Sequence, residues 1–194
     1  MGLTIEKCIE GWTNSLKQLK IKADIVFFGD SLTYYGDFAS AFPDKVICNL
    51  GLRGDSIQGM TDRVVQVKML GPKKVFLMAG INDVEKYSQD EFEAEYDSLI
   101  HQLTSQVPKA TLVIQSMLPV NSIEYSIRCR NEQIISFNRI IERLSLKKTI
   151  EYLDLFSTYQ KDGQLPAEMT IDGIHLKKES YMPWYEYLIN GSLI

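Results

Sequence analysis

Ser31 lies inside the tetrapeptide Gly29-Asp30-Ser31-Leu32, which follows directly on the apolar run Ile25-Val26-Phe27-Phe28. A hydroxyl at the C-terminal tip of a buried strand is well placed for nucleophilic attack, provided a base takes its proton. The chain holds only two histidines, His101 and His175. His175 closes the segment Asp172-Gly173-Ile174-His175, where the aspartate can orient the imidazole and stabilise its protonated form. His101 lies among Phe92, Tyr96, Leu99 and Leu103, an apolar stripe that covers about a third of a helix at ~100° per residue. His101 projects to the opposite side, toward solvent, so His175 is the expected base. Acyl transfer also needs donors for the charge that develops on the carbonyl oxygen. The backbone N–H groups of Ser31 and Gly54 and the side-chain amide of Asn82 are chemically suited to this. A glycine at 54 lets the backbone approach substrate without a side chain in the way.

These residues need elements to position them. Short continuous apolar runs at Ile25–Phe28, Val46–Cys48, Val75–Ala79, Leu112–Ile114 and Tyr152–Leu155 predict strands covered on both faces. Helical spacing links Ile5, Cys8, Ile9, Trp12, Leu16 and Leu19 at the start of the chain. It recurs in Ile57, Met60, Val64 and Val67, a helix ended by Gly71-Pro72, and in Phe92 to Val107, ended by Pro108. Ile127, Ile134, Ile141 and Leu144 mark a further helix, and Lys178 to Asn190 a last one with Pro183 in its first turns. Gly163–Thr170 reads as a loop. Strand–helix alternation predicts parallel βαβ units in a three-layer α/β/α sandwich, an α/β fold with a central parallel sheet of about five strands. No linker, repeat or low-complexity tract divides residues 1–194, which read as a single domain. In such folds ligands bind beyond the carboxyl ends of the strands. That is where Gly29-Asp30-Ser31, Asn49 to Ser56 and Gly80-Ile81-Asn82-Asp83 fall.

Each short motif also has a plainer reading. Gly-Asp-Ser recurs at Gly54-Asp55-Ser56, but no apolar strand precedes this copy, and Ser56 is better placed to cap the helix beginning near Ile57. Ser31 itself stands where a helix cap would serve. Asn82 and Asp83 suit a turn, and Asp30 more readily shapes one than reacts. Asp55 and Asp62 show no acid–base partner and default to solvated faces. Tyr34, Tyr35 and Arg53 either contact substrate or pack as amphipathic surface. Met117–Tyr125 lies at the expected mouth of the site as a specificity loop, while Met182-Pro183-Trp184-Tyr185 and Tyr187 read as core.

The composition excludes several other functions. Apolar residues make up 45% and charged residues 24% of the 194, an ordinary globular balance. The net charge of -4 speaks against nucleic acid, and no run approaches the ~20 apolar residues of a membrane span. Two histidines and the scattered Cys8, Cys48 and Cys129 make no metal set with zinc spacing, and Gly51-Leu52-Arg53-Gly54 lacks the lysine of a P-loop. No metal or cofactor is expected. Three unpaired cysteines and the absence of a signal-like segment after Met1 point to the cytoplasm. The expected partner is a small-molecule ester, and a homo-oligomer is compatible with the sequence.

Taken together and in order, Gly29-Asp30-Ser31-Leu32, Gly54, Gly80-Ile81-Asn82-Asp83 and Asp172-Gly173-Ile174-His175 resemble the blocks of the SGNH hydrolases, the GDSL esterase/lipase family. The resemblance spans residues 29 to 175, with no departure at a motif position. It implies a flavodoxin-like fold and a serine ester hydrolase without cofactor. It implies Ser31 as nucleophile, His175 as base and Asp172 as its partner, with Ser31, Gly54 and Asn82 as the oxyanion hole. The segment Gly51–Thr61 and the short chain look most like the branch of platelet-activating-factor acetylhydrolase-like proteins and carbohydrate acetylesterases. That placement implies a small acyl group, such as acetyl on a carbohydrate. A lysophospholipase or thioesterase of the same family is the alternative, and a non-catalytic ligand-binding module is the alternative outside enzymes.

Overall fold

A computed structural model describes residues 21–125, 127 and 129–194, with Thr13 and Ser15. Apart from those two residues, the expected opening helix lies outside the described residues. Five parallel strands form one sheet: β1 (Ile25–Gly29), β2 (Ile47–Gly51), β3 (Lys74–Met78), β4 (Thr111–Gln115) and β5 (Glu151–Leu153). Their spatial order is β2-β1-β3-β4-β5, with Phe28 level with Leu50 on one side and Leu77 on the other. This is the flavodoxin-like order, with the chain reversing direction across the sheet at β1, where such folds open a crevice.

The continuous apolar runs arise because alternate residues enter different layers. Val26, Phe28, Val75, Leu77 and Ile114 face one core, which is closed by α3 (Ile57–Asp62), α4 (Val64–Leu70), α5 (Gln89–Gln106) and α6 (Asn131–Lys147). Ile25, Phe27, Phe76, Met78 and Val113 face the other. That core is closed by α2 (Phe38–Ala41), α7 (Leu155–Tyr159) and α8 (Met182–Asn190), while α1 (Ser31–Tyr35) sits on the sheet's end. Phe27 lies between the rings of Phe38 and Phe76, with centroids at 3.7 and 4.8 Å. Full burial of such a ring contributes roughly 1.5–3 kcal/mol. Trp184 is buried in the same layer and satisfies its indole N–H on Gln115 Oε1 at 2.8 Å.

The helices depart from their sequence pattern in five places. The stripe from Ile57 to Val67 belongs to two helices, because Arg63 leaves helical geometry (φ −107°, ψ 11°) and turns its side chain inward. α4 then ends at Gly71, as its Gly-Pro signal predicts. Helix α6 starts at Asn131, after Ile127, because Asn131 is tied to both backbone groups of Val120 at 2.8 Å. Leu155 belongs to α7 and not to β5, since Asp154 accepts the Ser157 N–H at 3.0 Å and starts a helix there. The closing segment is a 3₁₀ turn (Lys178–Tyr181) followed by α8, whose first turn accommodates Pro183. A shorter 3₁₀ turn, Ala167–Met169, lies inside the expected loop. Among the described residues no helix is long and apolar enough to cross a membrane.

Candidate active site

Helix α1 begins one residue after β1 ends, so Ser31 is the first residue of a helix mounted on a strand tip. Asp30 caps it by accepting the Leu32 N–H at 2.9 Å. The helix lies flush on the neighbouring strand. β2 ends there in Gly51, where a Cβ would stand 2.1 Å from the Tyr34 nitrogen. Asn49, to which the sequence assigned no role, fastens the two together. Its Nδ2 donates to Thr33 O at 2.8 Å and Gly36 O at 2.9 Å, and its Oδ1 accepts the Gly51 N–H at 2.8 Å.

His175 arrives from the far end of the chain on a loop whose shape is set locally. Thr170 Oγ1 accepts the Gly173 N–H and donates to His175 O, both at 2.9 Å. Asn121 N–H donates to Gly173 O at 2.8 Å. The first half of the Met117–Tyr125 segment is therefore buried and braces this loop, a different task from the specificity loop expected of it. Asp172 Oδ1 accepts the N–H groups of Ile174 (3.1 Å) and His175 (2.8 Å), which aims Oδ2 at the ring. His175 Nδ1 stands 2.7 Å from Asp172 Oδ2, and Nε2 stands 2.9 Å from Ser31 Oγ. With the proton on Nδ1, Nε2 offers its lone pair to the serine hydroxyl. Burial alone would raise the Asp172 carboxyl, but the His175 backbone and ring N–H groups and the Ile174 N–H outweigh it and hold it below its ordinary value. His101 is exposed on α5, opposite the buried Phe92, Tyr96, Leu99 and Leu103.

Gly54 lies in the loop after β2 with φ +73°, a left-handed backbone for which glycine is suited, and open space lies where a Cβ would project. Leu52 N–H donates to Gly29 O at 3.0 Å, docking this loop beside the strand that leads to Ser31. Asn82 donates one amide hydrogen to Asp55 O at 2.8 Å, leaving its second for another acceptor. Ser56 accepts the Gly59 N–H at 3.1 Å and caps α3, the role its sequence position suggested.

The sequence reasoning missed Arg63. This side chain is buried beneath the loop and bonds Asp55 Oδ2 (2.6 Å), Leu50 O (2.8 Å) and Gly29 O (2.9 Å). Its guanidinium also lies 4.3 Å from the Phe28 ring centroid. Asp55 is thus no solvated surface residue. It is 2% exposed because Arg63 pairs with it inside. The clue in the sequence is a lone arginine one helical turn from Met60 on an otherwise apolar face. Asp83 does more than shape a turn: fully buried, it accepts the Ile57 N–H at 3.0 Å.

Burial is also the main force on Asp30, raising its pKa to about 7; the Leu32 N–H opposes it, and the Asp55 charge adds to it. Between the ordinary carboxylate value of about 4 and about 7, the folded protein keeps a proton that the unfolded chain has lost. The stability from Asp30 is therefore present at low pH, falls as pH rises through this window, and is level above it. Asparagine caps helices equally well but does not titrate. In thermal melts at a series of pH values, the Tm of Asp30→Asn should gain steadily on wild type from about pH 4 to about pH 7. A gap that stays constant or narrows would refute this account of Asp30.

At the mouth, Tyr35 packs edge-on against the His175 ring with centroids 5.6 Å apart. Tyr34 packs edge-on against Tyr35, at 5.1 Å, and the Arg53 guanidinium lies 5.8 Å from the Tyr35 ring. Of the two tyrosines, Tyr35 is the one the fold brings to the imidazole. Among the described residues no group of three or more His, Cys, Asp and Glu side chains is placed to hold a metal ion.

No curated protein matches this chain. Among solved structures, a Streptococcus pneumonia protein provisionally described as a platelet activating factor superimposes with a TM-score of 0.83 at 24% identity, over 94% of this chain and 91% of the other. A GDSL-like lipase from Bacteroides thetaiotaomicron gives 0.78 at 19% identity, over 94% and 96%. The lipase/acylhydrolase from Enterococcus faecalis gives 0.70 at 18%, over 86% and 93%. These likenesses speak for the fold. The family model for GDSL-like lipases and acylhydrolases matches residues 27–182, from within β1 to the start of α8. With most of its length inside that match, the chain belongs to the GDSL-like lipase/acylhydrolase family, the SGNH hydrolases.

Proposed function

We propose that the chain hydrolyses carboxylic esters with a short acyl group through a covalent acyl-enzyme on Ser31. The observation that carries this reading is the unbroken hydrogen-bonded path from Ser31 Oγ through His175 to Asp172. Ser31 Oγ attacks the ester carbonyl as its proton passes to His175 Nε2. The resulting oxyanion is received by the Ser31 and Gly54 N–H groups and the free amide hydrogen of Asn82. As the tetrahedral adduct collapses, the C–O bond to the alcohol breaks, and His175 returns the proton to the departing oxygen. Water then attacks the acyl-enzyme with His175 again as base, releasing the acid and restoring Ser31. Asp172, ionised at neutral pH, offsets the imidazolium charge in both halves.

An alkyl fluorophosphonate tests the nucleophile directly. It should label Ser31, as located by peptide mass spectrometry, and fail to label Ser31→Ala. A label on any other residue, or none, would overturn the assignment. Removing the Asn82 amide should cost about 10²–10³ in kcat with little change in KM, since the contact forms with the transition state. Steady-state kinetics of Asn82→Ala would measure it, and a pure KM effect would remove Asn82 from the oxyanion hole. The short acyl group rests on resemblance to the acetylhydrolase and acetylesterase branch. A p-nitrophenyl series from acetate to decanoate should favour the short end, and a preference for decanoate would reject it.

A further inference from the structure

A groove of about 860 Å³ opens beside the site between α2 and α8. Its volume is that of a site for a small organic molecule. Tyr35, whose ring packs on His175, lines it together with Leu176, the residue after His175. Ile171, Met182, Tyr185 and Ile189 stand on the same walls. Tyr35, Ile171, Met182 and Ile189 are 46%, 65%, 52% and 57% exposed, so this side of the molecule leaves a cluster of apolar surface in water. Of the three tyrosines on its wall, Tyr181 donates its hydroxyl to Leu32 O at 2.7 Å, and Tyr185 accepts the Asp37 N–H at 2.9 Å while keeping its own O–H to donate. Charges of both signs also line it, as Asp37, Lys178 and Glu179, and favour neither an anion nor a cation.

The reaction geometry decides which half of an ester belongs there. His175 must hand its proton to the departing alcohol oxygen, so the alcohol lies on the imidazole side and the oxyanion on the Gly54–Asn82 side. The residue packed on that imidazole, Tyr35, and the chain neighbour of His175, Leu176, both line the groove. Resting on the acyl-enzyme reading above, we propose that this groove is the alcohol subsite and that the substrate is a short-acyl ester of an apolar alcohol, with a long alkyl or aryl body. A sugar alcohol would leave these walls wet.

Two ester series with the same reacting group distinguish the halves: acetates of ethanol through decanol, and ethyl esters of acetic through decanoic acid. kcat/KM should rise about two- to fourfold per added methylene along the alcohol series, the scale of moving one CH₂ out of water, and not along the acid series. Ile189→Glu and Met182→Glu place a charge on the groove wall and should flatten the alcohol series. The slope within each variant is the readout, so a general loss of folded protein does not imitate the effect. Leu146→Glu, on the exposed face of α6, should keep the slope. Octan-1-ol should bind Ser31→Ala protein in calorimetry and lose that binding when Ile189→Glu is added.

A flat alcohol series, a rise along the acid series instead, or a slope that survives in both wall variants would overturn the proposal. So would a dimer in light scattering that Ile189→Glu dissociates while the alcohol series is flat, since a second copy would then cover the groove. If wild type and Ser31→Ala hydrolyse all esters equally, the acyl-enzyme reading fails by itself, and octanol binding still reports on the groove.

Discussion

Ser31→Ala should lower kcat on p-nitrophenyl acetate by about 10⁶-fold, the scale seen when a serine hydrolase loses its nucleophile. His175→Ala should cost a similar factor, and the double variant little more than either one, because the pair works as a unit: neither the attack nor the proton transfer proceeds alone. The fold should be indifferent to the serine change. Ser31 opens α1, where alanine is a good helix former, and the cap is supplied by Asp30. Chemical denaturation should place Ser31→Ala within about 0.5 kcal/mol of wild type. His101→Ala, on the solvent face of α5, should leave turnover unchanged. Equal activity in Ser31→Ala and wild type would remove Ser31 from the mechanism, and a large loss in His101→Ala would move the base to α5.

Arg63→Met carries the largest expected cost in stability, about 3–5 kcal/mol, because it strands the buried Asp55 charge. It also strips a donor from Leu50 O and from Gly29 O, the carbonyl two residues before Ser31. Much of the loss should return in Arg63→Met/Asp55→Leu, which removes both charges together. A urea titration of the two variants measures the difference. A single variant as stable as wild type would mean that water reaches Asp55 and solvates it. Activity should fall further than the folded fraction does, since Asp55 O holds the Asn82 amide and Gly54 precedes Asp55 in the same loop. A double variant that refolds fully but remains slow would place that share of the loss on the geometry of the loop.

The parts of this molecule legible in its sequence are those decided by local pattern. The five strands stand where the apolar runs lie, within a few residues, because the inner strands are covered on both faces and favour apolar side chains, while Asn49 in the edge strand β2 is tolerated because its amide is hydrogen-bonded. Ser31, Asn82 and the Asp172–His175 loop were legible because each follows a structural end, and the topology gathers such ends at one side of the sheet. Apart from Leu155, where Asp154 caps a helix locally, the main departures depend on partners further along the chain. Arg63 breaks a helix because two carbonyls and a carboxylate await it inside; the lone arginine on an apolar face marks the spot, but nothing near it shows that the carbonyls of Leu50 and Gly29 will meet it. Asn131 begins α6 because Val120 is there to meet it. Tyr34 and Tyr35 are alike in composition and neighbourhood, and only the arrival of His175 tells them apart. The groove joins residues 35–41 to 171–189, segments that only the closed fold brings together.

Ser31 and His175 lie 144 positions apart, and the segment that follows the histidine clasps the helix of the serine through the Tyr181 hydroxyl on Leu32 O and the start of the next helix through the Tyr185 hydroxyl on the Asp37 N–H. On the acyl-enzyme reading proposed above, the serine leaves the ribosome during synthesis long before its base exists. A nascent chain, or one that has folded only its first βαβ units, therefore carries an inert alcohol at position 31. The ability to cleave an ester appears when the last segment docks, which makes turnover a reporter of completed folding. Hydrolysis regained during refolding should follow the slowest structural phase and not precede it.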